Sequence, residues 1–218
     1  MYLLNWTLIT MNKKPRSISL NCLANYYDYF TFTEKSQFRK NQIDLMDIRK
    51  GEKVLDVGCG TGVLSILSKN KVGNEGVVAG IDIAPRMIHR AQNKALNACL
   101  KIHYQVASVS QLPFPDQYFD LVISSLMFHH LPTDLKKAAL LEIYRVMNKQ
   151  GRFFLCDFGS PRISMIPLMY LMLVWISPTR YQLLGRLPNL IRECGFKSIW
   201  LVKKGVFLEY YLITKISN

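Results

Sequence analysis

No two cysteines stand in a CxxC spacing, and the five present (Cys22, Cys59, Cys99, Cys156 and Cys194) are odd in number. That excludes a disulfide framework and a zinc knot, and it fits a reducing, cytoplasmic compartment. Long apolar runs are missing too. The longest, Ile163 to Ile176, is broken by Ser164 and Pro167 and falls short of the roughly 20 residues that cross a bilayer. The first residues show no basic stretch ahead of their apolar run and no small-residue cleavage site, so no signal peptide is expected. Either Met1 or Met11 is compatible with the start. Glycine (12) and proline (9) are too sparse for collagen or a low-complexity linker. Acid is scarce as well, 15 residues against 28 basic ones, for a net charge of +13 without a polybasic block. Such a surface attracts nucleic acid, anionic lipid or an acidic substrate, and does not choose among them.

What is present is a chain of 218 residues, half of them hydrophobic, enough for one large domain with its own core. From Lys53 onward, short apolar runs alternate with helical patterns. Strands are expected at 53–57, 77–82, 102–107, 119–124 and 152–158, and helices at 62–70, 84–97 and 133–147. Thr133 is the expected cap of the last of these helices and Gly151 its stop. A helix near 184–194 and strands at 198–202 and 206–214 follow, the latter two joined by Lys203, Lys204 and Gly205 as an antiparallel hairpin. This βα alternation predicts an α/β fold, a doubly wound, mostly parallel seven-stranded sheet with an antiparallel carboxyl-terminal hairpin and a helical lid. Residues 1–50 form an amino-terminal helical segment, and 51–218 the main domain, with an apolar insertion at 161–187.

The sharpest feature is ValLeuAspValGlyCysGlyThrGly at 54–62. The strand ends at Val57 and the chain turns through Gly58, Cys59, Gly60 and Gly62. Glycines there permit positive φ and let a ligand lie against bare backbone, at the carboxyl end of a strand where doubly wound sheets bind ligands. Asp82 ends the next strand, 20 residues past Gly62, where a carboxylate can accept both hydroxyls of a ribose. Asp56 lies inside the strand itself. Acid beside the loop would repel a pyrophosphate and suits a cationic ligand. Among common nucleoside cofactors, S-adenosyl-L-methionine carries a sulfonium and an ammonium.

These residues resemble the class I S-adenosylmethionine-dependent methyltransferases, in particular the branch of the ubiquinone/menaquinone C-methyltransferases and their small-molecule relatives. The resemblance runs from about Tyr26 to Thr214. It rests on the glycine loop, GlyIleAspIleAla at 80–84, LeuProPheProAsp at 112–116, PheAspLeuVal at 119–122 and LysGlnGly at 149–151, in that order. It implies that Gly58 and Gly60 approach the methionine moiety, with Cys59 between them, that Asp56 orders the loop, that Asp82 binds the ribose, and that Ile83 packs on the adenine. Where the family usually places an acid for the adenine amino group, this chain has Ser108, followed by Val109 with a backbone amide and an apolar contact. Ser124 falls where backbone carbonyls face the cofactor.

Methyl transfer from a sulfonium needs little beyond positioning and exclusion of water, and a base only if the acceptor must lose a proton. Base candidates are His129 and His130, in PheHisHisLeuPro just past the fourth strand, and each is equally read as a helix-packing residue. Tyr27, in AsnTyrTyrAspTyrPhe at 25–30, lines the methyl channel or packs a terminal helix. No metal is expected, because adjacent histidines diverge and no third ligand is spaced to join them. No Asn/Asp-Pro-Pro-Tyr/Phe block follows the fourth strand, which argues against exocyclic base nitrogens and amide side chains as acceptors. The Met-rich insertion, flanked by Arg162, Arg180 and Arg186, suits a lipophilic small-molecule acceptor, an anionic membrane face or a homodimer contact. The expected activity is methyl transfer to carbon or oxygen of a small apolar or aromatic molecule. The alternatives are an RNA or protein methyltransferase, on the +13 charge, with nucleic acid the less favoured partner, and a non-catalytic cofactor-binding protein, on Ser108.

Overall fold

In the computed structural model, residues 37–160, 180–205 and 208–216 are described. The expectations for Tyr26 and Tyr27 and for 161–179 of the insertion lie outside them. The described elements are α1 (Gln37–Leu45), β1 (Lys53–Val57), α2 (Val63–Val72), β2 (Val77–Asp82), α3 (Pro85–Asn97), β3 (His103–Val106), β4 (Phe119–Ser125), a 3-10 turn (Phe128–His130), α4 (Thr133–Val146), β5 (Met147–Phe158), α5 (Arg180–Leu183), α6 (Leu187–Glu193), β6 (Ser198–Lys204) and β7 (Leu208–Thr214).

The seven strands form one sheet in the order β3-β2-β1-β4-β5-β7-β6. The first five run parallel, and β7 pairs antiparallel with both β5 and β6. β1 and β4 are buried almost throughout, as expected of parallel strands covered on both faces. Alternation along them divides the core. Leu55, Val57, Ile81, Val122, Phe153 and Leu155 pack with α4 and α6 on one side. Val54, Val78, Leu121, Ile123 and Phe154 pack with Ile43 of α1 and Leu64 and Val72 of α2 on the other. α3 closes the β2–β3 end by setting Ile88, Ala91 and Ala95 on Tyr104. Its Pro85 occupies the first turn, where a missing N–H costs nothing.

Two local expectations are corrected. Pro132, not Thr133, is the N-cap of α4, and no side chain bonds the free amides there. Gly151 does not stop that helix. α4 ends at Val146, and Met147 is already extended (φ −75°, ψ 135°), so β5 begins five residues early. The β4–β5 pairing steps from Phe119↔Met147 to Leu121↔Arg152, which places the extra residues of Asn148–Gly151 in a bulge. A Cβ on Gly151 would lie 2.6 Å from Met147 Cγ and 3.1 Å from the Phe119 carbonyl oxygen. The glycine therefore serves close strand approach rather than helix termination. At the hairpin, β6 runs on to Lys204, and the Gly205 N–H closes the turn on the Leu208 carbonyl at 2.7 Å. No helix among the described residues is long and apolar enough to cross a membrane.

Candidate functional site

The order of strands reverses between β1 and β4: α2 and α3 cover one face, and α4 covers the other. Loops leaving β1 and β4 diverge there, which opens a crevice at the carboxyl edge of the sheet. The glycine loop lies on that edge. Gly58, Gly60 and Gly62 all have positive φ, 71°, 54° and 80°, as their spacing predicts. The N–H groups of Gly58 and Cys59 both donate to the Ile81 carbonyl at 2.8 and 2.9 Å, so the loop is fastened to the end of β2.

Asp82 completes the fastening. Its Oδ2 accepts the Gly60 N–H at 3.0 Å and its Oδ1 accepts the Ala84 N–H at 2.9 Å. Burial pushes this carboxyl up, and the amides of Ala84, Gly60 and Ile83 pull it back down. Asp56 lies beneath the loop, 2 % exposed, with Oδ2 accepting the Ser65 hydroxyl at 2.6 Å. That bond ties β1 to the first turn of α2. Burial pushes Asp56 up to about 6, aided by the negative charge of Asp82 and opposed by Ser65 and Arg39. Two acids therefore converge on the loop. Cys59, between them, has its thiol pushed far up by burial and by the same two carboxylates, so it stays protonated and is no nucleophile.

Ile83 follows at the mouth of the crevice, half-buried. The Ser108 hydroxyl pairs with that of Ser110 at 2.8 Å and accepts the Ser110 N–H at 3.3 Å, while Val109 turns into the core. Ser124, near the end of β4, is fully buried, and its hydroxyl has no partner among the described residues. Met127 bridges the two sides: a Cβ on Gly58 would lie 2.4 Å from its Cγ.

Beyond Met127 the histidines sit on the 3-10 turn. His129 Nδ1 lies 2.8 Å from Asp157 Oδ1. The rings of His129 and His130 are 3.9 Å apart. Burial and the neighbouring His129 push His130 down to about 4, so it is neutral near pH 7. Among the described residues no group of three or more His, Cys, Asp or Glu is placed to hold a metal ion.

Four contributors were missed from the sequence. Asp157 could have been noticed as an acid inside the apolar run PheLeuCysAspPhe at 154–158. Lys136, fully buried, donates from Nζ to the Leu131 carbonyl. Arg39 reaches β4 from α1. Gln182 is 1 % exposed. Arg39 and Lys136 lie in stretches that read as ordinary helix, and Gln182 lies in the insertion, where the apolar residues drew the attention.

A doubly wound sheet with a glycine loop at its switch point, an acid at the end of β2 and a second acid beneath the loop defines a nucleoside-binding α/β domain. Residues 54–151 match the family described as "Methyltransferase domain". The ubiquinone/menaquinone biosynthesis C-methyltransferase of Francisella philomiragia is 34% identical over 163 residues, 72% of this chain and 64% of that protein. The demethylmenaquinone methyltransferase of Listeria monocytogenes is 34% identical over 128 residues, 58% of this chain and 53% of that protein. The chain thus spans between half and two thirds of the length of these relatives. A crystal structure described as a SAM-dependent methyltransferase from Aquifex aeolicus superposes with a TM-score of 0.68 at 21% identity, over 89% of this chain and 98% of that one. That likeness establishes the fold.

Proposed function

We propose that this protein is an S-adenosyl-L-methionine-dependent methyltransferase that acts in the cytoplasm on a small apolar, aromatic acceptor. The observation that carries the reading is Asp82, whose two oxygens pin the Gly60 and Ala84 amides at the end of β2, beside the glycine loop.

The residues present fit the cofactor. Asp82 accepts the ribose hydroxyls, and Ile83 and the Ser108–Val109 turn flank the adenine, with a hydroxyl in place of an acid. Gly60 leaves backbone bare for the methionine portion, and Gly58 lets Met127 pack close to the loop beside it. The orphaned Ser124 hydroxyl gains a partner there. Asp56 and Asp82 supply negative potential for a cation in a crevice of low dielectric, and the same pair disfavours a dinucleotide pyrophosphate. When bound, the cofactor supplies a methyl group already activated on a sulfonium. The protein's own part is to hold the acceptor in line and keep water out. A quinone-like aromatic acceptor fits the names of the curated relatives, a ubiquinone/menaquinone biosynthesis C-methyltransferase and a demethylmenaquinone methyltransferase, and an apolar one fits the insertion.

Calorimetry with S-adenosylhomocysteine, against NAD as control, tests the reading. Binding of the first and not the second is expected, together with transfer of a labelled methyl group to an organic-extractable product. Heat with NAD alone overturns it.

A further inference from the structure

The cofactor reading leaves two buried polar groups unused, and both adjoin the 3-10 turn. The first is Asp157, at the carboxyl end of β5 and 2 % exposed. Its Oδ1 faces His129 Nδ1 at 2.8 Å and accepts the Phe158 N–H at 2.7 Å, and its Oδ2 accepts the His129 N–H at 3.2 Å. A carboxylate so placed holds the imidazole proton on Nδ1, which leaves the Nε2 lone pair free. The ring is fixed further by an edge contact with Phe158, centroids 4.8 Å apart. The charged and titratable groups around it are Asp157 from β5, His130 on its own turn and Lys136 from α4. Burial pushes Lys136 down to about 8 and His130 down to about 4. Of the two histidines, it is His129 whose ring nitrogen lies at hydrogen-bond distance from the Asp157 carboxylate.

The position is right for transfer. Met127, two residues before His129, lies against Gly58 of the cofactor loop. The Leu126 N–H bonds the Cys156 carbonyl at 2.8 Å, which locks the turn between that loop and the end of β5. The second unused group is Gln182 on α5, which packs on this turn and on β5. Both atoms of its amide are buried, and neither has a partner among the described residues. Burying an amide unpaired carries a desolvation cost, which a ligand oxygen relieves.

We propose that His129, positioned by Asp157, removes the proton of the methyl acceptor while Gln182 holds an acceptor oxygen, so that the acceptors are hydroxyaromatic or enolic compounds rather than amines. The inference rests on the methyltransferase reading above. The O–H proton passes to His129 Nε2. The pair that forms the bond to the methyl carbon is an oxygen lone pair in O-methylation, or the ring π pair at the ortho carbon, pushed from the ionised oxygen, in C-methylation; in the second case the ortho C–H proton is lost to solvent after the new bond has formed and its pair restores the aromatic ring. The pair of the breaking carbon–sulfur bond stays on sulfur, and the imidazolium faces the Asp157 carboxylate.

The test uses the full chain, labelled S-adenosylmethionine and a series of ring-substituted naphthols whose hydroxyl pKa values straddle the assay pH. His129→Gln lowers kcat for weakly acidic naphthols by about 10²–10³-fold, and the deficit shrinks for naphthols already ionised. Asp157→Asn gives a similar but smaller loss. Asp157→Glu recovers part of the rate. Gln182→Leu raises KM about tenfold with kcat little changed. Homocysteine-nucleoside affinity within twofold of the parent shows that each variant is folded. A flat deficit across the naphthol series, or transfer to amines but not naphthols, overturns this inference and leaves the methyltransferase reading intact. Failure of the parent chain to bind S-adenosylhomocysteine overturns both.

Discussion

Arg39 on α1 donates from Nη1 to the Ser125 hydroxyl at the end of β4, 3.0 Å away across 86 residues of chain. Gln42, one turn on, donates to the same oxygen at 3.0 Å. The guanidinium is 7 % exposed, and its charge also pulls the buried Asp56 carboxyl and Cys156 thiol down. α1 is therefore fastened to the carboxyl edge of the sheet through a buried charge as well as through Ile43. Arg39→Met, which keeps the aliphatic stem, should lower unfolding stability at pH 7 by about 2–3 kcal/mol, the range for losing hydrogen bonds to a charged group. Denaturant midpoints measure it. An unchanged midpoint sinks the claim that this contact anchors α1.

Asp82 has two tasks, and removing it should show both. Asp82→Ala takes away the acceptor for ribose hydroxyls and frees the Gly60 and Ala84 amides. S-adenosylhomocysteine affinity should fall by roughly 1–3 kcal/mol, about 5- to 150-fold. Asp82→Glu should not restore it, because an extra methylene displaces the oxygens from both amides. Calorimetric affinity equal to that of the parent would show that Asp82 does not face the nucleoside.

Asp56 makes stability depend on pH with a defined sign. Its carboxyl rises from the usual 3.8 to about 6 in the folded protein, chiefly through burial. The folded state thus holds a proton that the unfolded state releases between about pH 4 and 6. The stability this provides is complete below the unfolded value and disappears as pH climbs through the folded one. Asp56→Asn keeps a side-chain oxygen for Ser65 and removes the penalty. It should raise stability at pH 7 by up to about 3 kcal/mol and by nearly nothing at pH 4. Thermal unfolding across that interval checks the sign. Equal gains at both ends refute it. S-adenosylmethionine affinity should fall in the same variant, since the neutral amide no longer attracts the cation.

Much of this was written locally in the chain. β1, β2 and β4 are short apolar runs bounded by glycine or by an acid, and such runs declare themselves. The positive φ of Gly58, Gly60 and Gly62 followed from the absence of a Cβ, and the place of Asp82 from the length of a βαβ unit. The misread boundaries had competitors that a single strand of text does not show. Gly151 looked like a helix stop because helices commonly end in glycine, yet its neighbour across the sheet, Phe119, is 32 residues away in sequence, and strand pairing prevailed. Asp157, Lys136 and Gln182 were invisible for the same reason: each matters through a partner brought near by the sheet or by packing, not by spacing. The histidine pair was legible as chemistry, but which ring does what depended on a carboxylate 28 residues downstream.

Gly58 separates strain from contact. It has φ 71°, and an added Cβ would sit 2.4 Å from Met127 Cγ and 2.9 Å from Met127 Cβ. Left-handed backbone costs an alanine about 1–2 kcal/mol, and the clash adds to that until the methionine moves. Gly58→Ala alone should therefore destabilise the protein and abolish measurable cofactor binding, because the displaced Met127 and the new methyl both intrude on the loop. Combining it with Met127→Ala removes the clash but not the strain. The double variant should regain only the clash part of the stability, a positive coupling in a double-mutant cycle, while homocysteine-nucleoside affinity stays weak. If the double variant regained parental affinity, the bare backbone at Gly58 would be needed only to make room for Met127, and its assignment to the methionine portion of the cofactor would fall.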